Sequence, residues 1–539
     1  MTAGHLVIAP VLIPFVAGAL MLLYDDRQRR AKFALSIGSA LALLLVSVEL
    51  LNRSKGGGAG GNEISFYLLG DWAVPFGIVL VSDRLSAMML CLTALLAIPT
   101  LLYAGAGWQR QGQHFHSLFQ FLLMGLNGAF LTGDLFNLFV FFEVLLAASY
   151  GLLLHGSGQL RIRAGLHYIA INLAASLLFL IGVSLIYGVT GTLNMAHLAR
   201  IVPTVTDADL PLLKAGAALL GLAFFVKAGI WPLSFWLPTA YMAGAAPVAA
   251  MFTIMTKVGI YIILRLSMLL FGPAAAASAG FGSGLLIAGG MATVGFGLLG
   301  VLASQGLGRM AAHMVLISSG TVLGTVGFTL AGGGPDMLGG ALYYLVSSTL
   351  ATGALFLLIE PMSREEGGIA GMLALTADAY GLDELEEEDP EVGLAIPGTL
   401  TVLGLSFGAC LLVLAGLPPL SGFIGKVAML APLLAAPTVD PVLGWSFLSL
   451  LLLAGLATLI GLVRIGIQTF WATDGSVPKV LALEIAPVLG LIALLLTLTI
   501  RAEDTLRYMQ ATARALHEPT IYADGVFAAP RVTEGTAAP

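Results

Sequence analysis

Long apolar runs separated by short polar segments follow one another along almost the whole chain. Each run of about 20 residues is long enough to cross a hydrocarbon core of about 30 Å as a helix. The run centres lie near residues 14, 41, 94, 124, 144, 177, 226, 258, 290, 320, 347, 410, 456 and 490. The pattern predicts an all-α polytopic membrane protein with about 14 transmembrane helices. The tract 396–436 is either one broken helix or two.

Three segments depart from this pattern. Segment 64–82 (ISFYLLGDWAVPFGIVLVS) alternates apolar and polar residues around Gly and Pro, which predicts an extramembrane β-hairpin. Segment 363–395 contains the acidic run DELEEEDPE, which we interpret as a solvated loop, with local concentration of cations as the alternative. After Arg501 the chain is moderately polar and includes an amphipathic stretch from Asp504 to His517.

Prolines interrupt two of the predicted helices at membrane depth. They are Pro232 and Pro238 in the seventh span, and Pro418 and Pro419 in the twelfth. Proline removes a backbone donor, so the freed backbone groups must face protein or water. Both breaks contain a Pro-Leu-Ser triplet, at 232–234 and 419–421. Paired broken helices are typical of inverted repeats with a transport site at their interface, here spans 4–8 and 9–13.

The chain then divides into four parts. They are 1–115 with spans 1–3 and the hairpin, 116–270 with the first inverted five-helix repeat, 271–475 with the second repeat and the acidic loop, and 476–539 with span 14 and a polar C-terminal tail.

Composition narrows the class of protein further. Hydrophobic residues make up 58% of the chain and charged residues 10%, with a mean hydropathy of +0.96. Soluble domains are roughly 25% charged, so a soluble fold is excluded. The net charge of −6 gives no reason to expect a nucleic-acid partner. Cys91 and Cys410 stand far apart in apolar runs, and no metal or cofactor motif is visible.

Basic residues between the spans predict the orientation. They follow the first, fifth and ninth spans: Arg27, Arg29, Arg30 and Lys32, then Arg161 and Arg163, then Arg309. By the positive-inside rule, the loops that follow these three spans are cytoplasmic. With fourteen spans, both termini then face the outside.

Four charged residues lie deep inside the apolar runs. They are Glu143, Lys227, Lys257 and Lys426. Each costs on the order of 2.5–3.5 kcal/mol at a helix centre, which makes a functional role the default interpretation. Structural ion pairs that fix helix packing are the alternative. Near the span ends, we expect Arg265, Glu360 and Arg464 to extend towards the interface and Asp134 to cap the fifth span.

The residue types suit proton transfer. Burial disfavours the charged form of a lysine, whereas a neighbouring carboxylate favours it. A carboxylate that becomes protonated or moves away therefore makes the lysine release its proton, and arginine could not serve because it stays charged. His313, in span ten, is either a further proton relay or a packed, hydrogen-bonded histidine.

Four stretches carry a resemblance to a known family. They are LGDWAVPFGIVLVSDRLSAMML, GDLFNLFVFFEVLLAASYGLLLHG, FVKAGIWPLSFWLPTAYMAGAAPVAAMFTIMTKVGIYIILR and AGLPPLSGFIGKVAML. The chain resembles the D subunits of Mrp-type multisubunit Na⁺/H⁺ antiporters, which are related to the antiporter-like subunits of respiratory complex I. The resemblance covers roughly residues 1–500.

The resemblance implies a fold, an activity and partners. The family fold has fourteen helices with two inverted five-helix repeats, and Glu143, Lys227, Lys257 and Lys426 match its proton-translocating axis. It implies exchange of external protons for cytoplasmic Na⁺, or another monovalent cation, in a complex with the other Mrp subunits. No cofactor is implied.

The second half departs from the family pattern. Gly306-Leu307-Gly308-Arg309 stands where many relatives have Asp-Leu-Lys-Arg, and span eleven has Ser347, Ser348 and Thr352 where titratable groups are expected. Ile317-Ser318 replaces a Ser-His or Ser-Gln pair. Hydroxyls hold water but do not take up a proton near neutral pH. We therefore regard Ser318, Ser347 and Ser348 as candidate relay residues only.

Two other functions remain open at this point. The first is an antiporter-like membrane-arm subunit of a redox-driven proton pump, such as complex I or a membrane-bound hydrogenase. The second is a scaffold whose buried charges only fix helix packing. The energy source of a pump would lie in other subunits. The membrane subunits of an antiporter and of a pump would therefore have similar sequences.

Overall fold

The fold is that of a computed structural model, which describes residues 4–25, 28–57, 64–363, 398–470 and 480–529. This part of the chain is almost entirely helical. The helices are α1 (His5–Leu22), α2 (Arg29–Asn52), α3 (Arg84–Ala104), α4 (Phe115–Leu131), α5 (Leu135–Leu153), α6 (Gln159–Thr190), α7 (Met195–Ile201), α8 (Leu210–Ala228), α9 (Trp236–Ala243), α10 (Ala246–Phe271), α11 (Ser283–Ala303), α12 (Leu307–Phe328), α13 (Pro335–Ser363), α14 (Gly398–Ala415), α15 (Ser421–Ala435), α16 (Pro441–Phe470), α17 (Ala482–Ile500), α18 (Ala502–His517) and α19 (Pro519–Phe527).

The predicted membrane architecture is confirmed. Within the described ranges, 13 helices are long and apolar enough to cross a membrane, and α4 and α15 are shorter apolar helices. Every predicted run centre lies inside a helix. Counting α4 as a span, and α14 with α15 as one span in two pieces, gives the fourteen expected. The inverted relation between spans 4–8 and 9–13 stays a prediction, and the acidic loop lies outside the described residues apart from its first residue, Ser363.

Segment 64–82 forms a two-stranded antiparallel hairpin. Strand β1 (Ser65–Leu68) pairs with β2 (Val79–Ser82), with Ser65 opposite Ser82 and Leu68 opposite Val79. The second strand also contacts the turn between α4 and α5, because the Gly133 amide donates to the Val79 carbonyl at 2.9 Å. The hairpin thus supports the start of α5.

The seventh span is interrupted between α8 and α9. Helix α8 ends at Ala228, Gly229 adopts a left-handed conformation (φ +68°), and α9 begins at Trp236. Pro232 lies in this break, as predicted. Pro238 does not: it is the third residue of α9, where the backbone N–H would have no intrahelical acceptor and proline is tolerated.

The twelfth span is interrupted in the same manner. Helix α14 ends at Ala415, Gly416 has a left-handed φ of +78°, and α15 begins at Ser421. Pro418 and Pro419 lie between the two helices, so both predicted prolines stand in the break. The tract 396–436 is therefore two helices in its described part.

The core of the bundle is formed by α10, α12 and α13. In each of these helices, 94% of the most apolar 18-residue stretch is buried inside the protein. The buried share of the corresponding stretch is 39% in α6 and 28% in α17. The three central helices carry Lys257, Ser318 and the Ser347–Ser348 pair. Polar side chains on them are therefore shielded from lipid by the surrounding helices.

The amphipathic stretch after the last span is helical and packs back on the bundle. Tyr508 of α18 donates its hydroxyl proton to the Arg84 carbonyl at 2.8 Å. The Tyr522 ring of α19 lies 5.2 Å from the guanidinium carbon of Arg265. The two C-terminal helices thus cover the ends of α3 and α10.

Arg265 does not extend to the interface, contrary to the prediction. Its guanidinium makes a bidentate pair with Asp83, Nη1 to Oδ2 at 2.5 Å and Nη2 to Oδ1 at 2.7 Å. The two side chains are only 6% and 15% exposed. Asp83 also caps α3 by accepting from the Ser86 amide at 2.9 Å. The pair ties α10, which carries Lys257, to the start of α3.

Glu360 and Arg464 also have protein partners. A Glu360 carboxylate oxygen accepts from the Ala246 amide at 3.0 Å, at the first residue of α10. Arg464 donates to the carbonyls of Leu302 and Ser304 at the end of α11. Both charges compensate helix ends, where backbone groups lack intrahelical partners.

Replacing Arg265 by Gln should destabilise the protein by roughly 3–5 kcal/mol, because it leaves the Asp83 carboxylate buried without its cation. The measurement is thermal unfolding of the purified chain in detergent, together with its amount in membranes. Arg507→Gln is the control, since Arg507 pairs with Glu503 on the exposed face of α18. Equal stability of the two variants would contradict the importance given to the Asp83–Arg265 pair.

Candidate functional site

Helix α5 places Glu143 near the middle of its span. The helix begins at a cap formed by Asp134, as predicted, whose Oδ1 accepts from the Asn137 amide at 2.9 Å. Glu143 is half-buried on the side facing α6. Its Oε1 accepts a hydrogen bond from Ser176 Oγ of α6 at 2.5 Å.

Lys227 lies in the last turn of α8, directly before the break. It is 8% exposed. Its Nζ donates to the Asn172 carbonyl at 3.3 Å and to Ser176 Oγ at 3.4 Å, and lies 5.8 Å from the centre of the Phe142 ring. A cation is stabilised near the C-terminal end of a helix and over an aromatic face. The break therefore helps α8 to hold an ammonium group at this depth.

Ser176 joins Glu143 to Lys227. In the described structure these two residues make no direct ion pair; each instead contacts the same hydroxyl. Sequence analysis missed Ser176. A signal was present, because Tyr168, Asn172 and Ser176 repeat every four residues and therefore share one face of α6.

Lys257 lies in the unbroken helix α10 and is 1% exposed. Its Nζ donates to Ser318 Oγ at 2.8 Å and to Ser319 Oγ at 3.1 Å, both on α12. Ser318 Oγ is 2.7 Å from Ser348 Oγ on α13. The structure therefore brings two of the predicted relay residues to the lysine, which is solvated by hydroxyl groups.

The Ser347 side chain contacts the second helix break. Its Oγ lies 2.7 Å from Ser421 Oγ, at the first residue of α15. The Ser421 amide in turn donates to Thr499 Oγ1 of α17 at 3.0 Å. Ser347 and Ser348 are neighbours in the sequence but belong to two different hydroxyl pairs, one at Lys257 and one at the break.

Lys426 reaches back across the break from α15. Its Nζ donates to the Ala415 carbonyl, the last of α14, at 3.0 Å, and the residue is half-buried. This contact places the ammonium against the negative end of the helix that precedes the break. Lys227 and Lys426 thus each place an ammonium group at the C-terminal end of the helix that precedes a break.

His313 is separate from these clusters. Its Nδ1 lies 2.9 Å from the Arg309 carbonyl of the same helix, and its ring packs on Phe296 and over Gly300. Among the hydrogen bonds of the described residues, none joins it to Lys257 or to the serine pairs. The packed, hydrogen-bonded interpretation of His313 is the one that agrees with this geometry.

A family match covers the part of the chain that carries these charges. Residues 132–451 match the family described as the transmembrane region of NADH:quinone oxidoreductase and Mrp antiporter subunits. The chain belongs to this family. That range contains Glu143, Lys227, Lys257 and Lys426.

Curated relatives of this family member are D subunits, as the sequence motifs predicted. The chain is 54% identical over 533 residues to the D subunit of a probable K⁺/H⁺ antiporter of Rhizobium meliloti (strain 1021), covering 98% of both proteins. It is 34% identical over 531 residues to the D subunit of a Na⁺/H⁺ antiporter of Alkalihalophilus pseudofirmus, covering 97% of this chain and 99% of the relative.

Solved structures of the family share the fold. A chain of the Mrp complex from Dietzia sp. DQ12-45-1b superposes with a TM-score of 0.81 at 24% identity, over 98% of this chain and all of the other. A chain of respiratory complex I from Thermus thermophilus gives 0.73 at 26% identity, over 95% and 99%. The overall helical architecture is therefore that of the antiporter-like subunits.

Replacing Gly416 by Ala should weaken the second break and displace Lys426. A Cβ at this position would lie 2.6 Å from Lys426 Nζ, and the left-handed backbone adds about 1–2 kcal/mol of strain. We expect lower thermal stability and reduced transport by the assembled complex. Gly408→Ala in α14 is the control, because a Cβ there meets no described atom within 4 Å. Wild-type behaviour of both variants would show that the break tolerates a side chain.

Proposed function

We propose that this chain is the proton-translocating membrane subunit of a multisubunit antiporter that exchanges a monovalent cation for protons. The observation that carries the proposal is the Glu143–Ser176–Lys227 cluster, in which a carboxylate and an ammonium share one hydroxyl beside a helix break. Charged residues at membrane depth are costly and commonly mark proton or ion pathways, which favours a functional role for this cluster. The cation exchanged for the protons is Na⁺ or K⁺.

The relatives support antiport over a redox-driven pump. The two D subunits at 54% and 34% identity are named for K⁺/H⁺ and Na⁺/H⁺ antiport. The likeness to a complex I chain supports the shared fold and does not favour redox coupling in this chain. The relatives are subunits by name, and the chain acts with the other Mrp subunits in a bacterial cytoplasmic membrane, with both termini outside.

The mechanism starts at Glu143. Protonation of the Glu143 carboxylate and release of the Lys227 proton are coupled, because this carboxylate is the nearby negative charge that favours the ammonium form of the lysine. The Asn172 carbonyl and the Phe142 ring remain to orient the lysine side chain. Return of Glu143 to the carboxylate form allows Lys227 to be protonated again. This alternation moves protons through the first repeat.

From Lys257, in the last helix of the first repeat, the path continues to Lys426 in the second repeat. The hydroxyl pair Ser318–Ser348 extends from Lys257, and the pair Ser347–Ser421 lies at the break that precedes Lys426. Serines orient water and pass protons without changing charge themselves. Water between the two pairs completes the path, which replaces the titratable groups that many relatives have in span eleven.

Two variants test the proposed function directly. Glu143→Gln and Lys227→Ala should each lower transport by more than about tenfold, because proton-transfer groups contribute typically 10²–10⁴-fold. The measurement is Na⁺- or K⁺-dependent dissipation of a pH gradient in vesicles that contain the whole complex. Testing both cations also identifies the coupling ion.

Matched controls separate a role at the site from a general loss of charge. Glu49→Gln removes a carboxylate that pairs with Arg53 on an exposed part of α2. Lys214→Ala removes the other lysine of α8, which lies over the Phe281 ring. Both should transport like wild type. Unchanged transport in Glu143→Gln and Lys227→Ala would leave only the scaffold interpretation.

The double variant Ser318→Ala and Ser348→Ala tests the second repeat. We expect a loss of about tenfold or more in transport with normal assembly, since it removes the hydroxyl pair beside Lys257 and leaves Ser319 in contact with the ammonium. Ser47→Ala is the control, because this buried hydroxyl of α2 donates to the Leu44 carbonyl of its own helix at 2.9 Å. Full transport in the double variant would exclude the serine path.

A further inference from the structure

We propose that Ser176 is the residue that transfers the proton between Lys227 and Glu143. The inference rests on the proposed function and goes beyond it by assigning the connecting step to a neutral side chain of α6. The Ser176 side chain is buried, at 6% exposed, so bulk water does not compete for its hydroxyl. It lies between the two charged groups and contacts both.

The hydroxyl has the donor and acceptor capacity that this role needs. A serine Oγ carries one hydrogen and accepts two hydrogen bonds. Ser176 donates to Glu143 Oε1 at 2.5 Å and accepts from Lys227 Nζ at 3.4 Å. Donor and acceptor are therefore arranged in one direction, from the ammonium through the hydroxyl to the carboxylate.

The transfer balances without another reactant. Lys227 Nζ gives a proton to Ser176 Oγ while Ser176 gives its own hydroxyl proton to Glu143 Oε1. The N–H bond of the ammonium and the original O–H bond of the serine break, and a new O–H bond forms on each oxygen. The products are a neutral amine, an unchanged serine hydroxyl and a neutral carboxylic acid.

A second acceptor allows the hydroxyl to reset. The Asn172 carbonyl lies 3.1 Å from Ser176 Oγ, in the preceding turn of α6. When Glu143 is protonated and no longer needs a donor, the Ser176 hydroxyl can rotate to this carbonyl and accept from the acid. The same carbonyl accepts from Lys227 at 3.3 Å. Both orientations of the hydroxyl thus leave its hydrogen bonded.

An intervening hydroxyl also prevents a static ion pair. If Glu143 and Lys227 were in direct contact, their attraction at low dielectric would hold both in the charged state. The serine keeps them one side chain apart, so the charged and the neutral forms of the pair are closer in energy. This is the condition that repeated protonation and release require.

Substitutions of similar shape test the transfer role. Ser176→Thr keeps the hydroxyl, whereas Ser176→Val has the shape of threonine without the hydroxyl and fills the space in which water could substitute. With the whole complex in vesicles, we expect Thr to retain transport within about threefold of wild type and Val to lose about tenfold or more. Ser176→Ala should also lose transport.

A second serine on α6 provides the control. Ser184 Oγ donates to the Leu180 carbonyl of its own helix at 2.8 Å and lies on an exposed face, so Ser184→Ala should leave transport unchanged. Equal transport by the Thr and Val variants, or wild-type transport by Ser176→Ala, would overturn the inference. If Glu143→Gln were inactive in the same assay, the proposed function would stand nevertheless.

Should both larger variants fail to assemble, Ser176→Ala compared with wild type decides the question, since alanine removes the hydroxyl and adds no atom. The amount of complex in the vesicles is measured alongside, so that a loss of assembly is not counted as a loss of transfer. Transport per assembled complex is the quantity compared throughout.

Discussion

An ammonium group in the middle of a membrane protein must be stabilised by fixed dipoles, and in this chain two helices end at that depth to provide them. Lys227 occupies the last turn of α8, and Lys426 binds the final carbonyl of α14. Unpaired carbonyls at a helix C-terminus carry partial negative charge. The breaks themselves depend on Gly229 and Gly416, whose left-handed backbone conformations end the helices, and on the prolines that follow. The position of the lysines and the interruption of the helices are therefore one structural feature.

Lys257 is held by another means. Helix α10 is continuous, so Lys257 has no helix end beside it in the described structure and relies on Ser318 and Ser319. Hydroxyl groups stabilise an ammonium less than a carboxylate does, yet they also accept its hydrogen bond and donate one to a neighbour. The most deeply buried lysine of the series thus lies beside groups that can conduct a proton without holding a charge.

Much of the fold could be predicted because the bilayer imposes long apolar runs and makes each charge within them costly. Pro238 was misplaced because proline is also common in the first turn of a helix, and sequence alone does not tell the two positions apart. Contacts between helices could be predicted less well than the helices themselves. A serine in a transmembrane helix usually bonds a carbonyl of its own helix, so Ser176 stood out only once packing placed it beside α5 and α8. Arg265 was expected at the interface because its partner, Asp83, lies in a distant part of the sequence. The role of both residues depends on which helix they face, and the apolar pattern does not determine that.

The four charged residues Glu143, Lys227, Lys257 and Lys426 differ in burial, and this difference bears on the assembled complex. Lys227 and Lys257 are enclosed, whereas Glu143 at one end and Lys426 at the other are half-buried. A charge left facing lipid at this depth would cost several kcal/mol, so any part of these two side chains outside the described contacts requires polar cover or water. Neighbouring subunits of the complex are the natural source of that cover. If the series carries protons as proposed, its two ends are therefore completed only in the assembled complex.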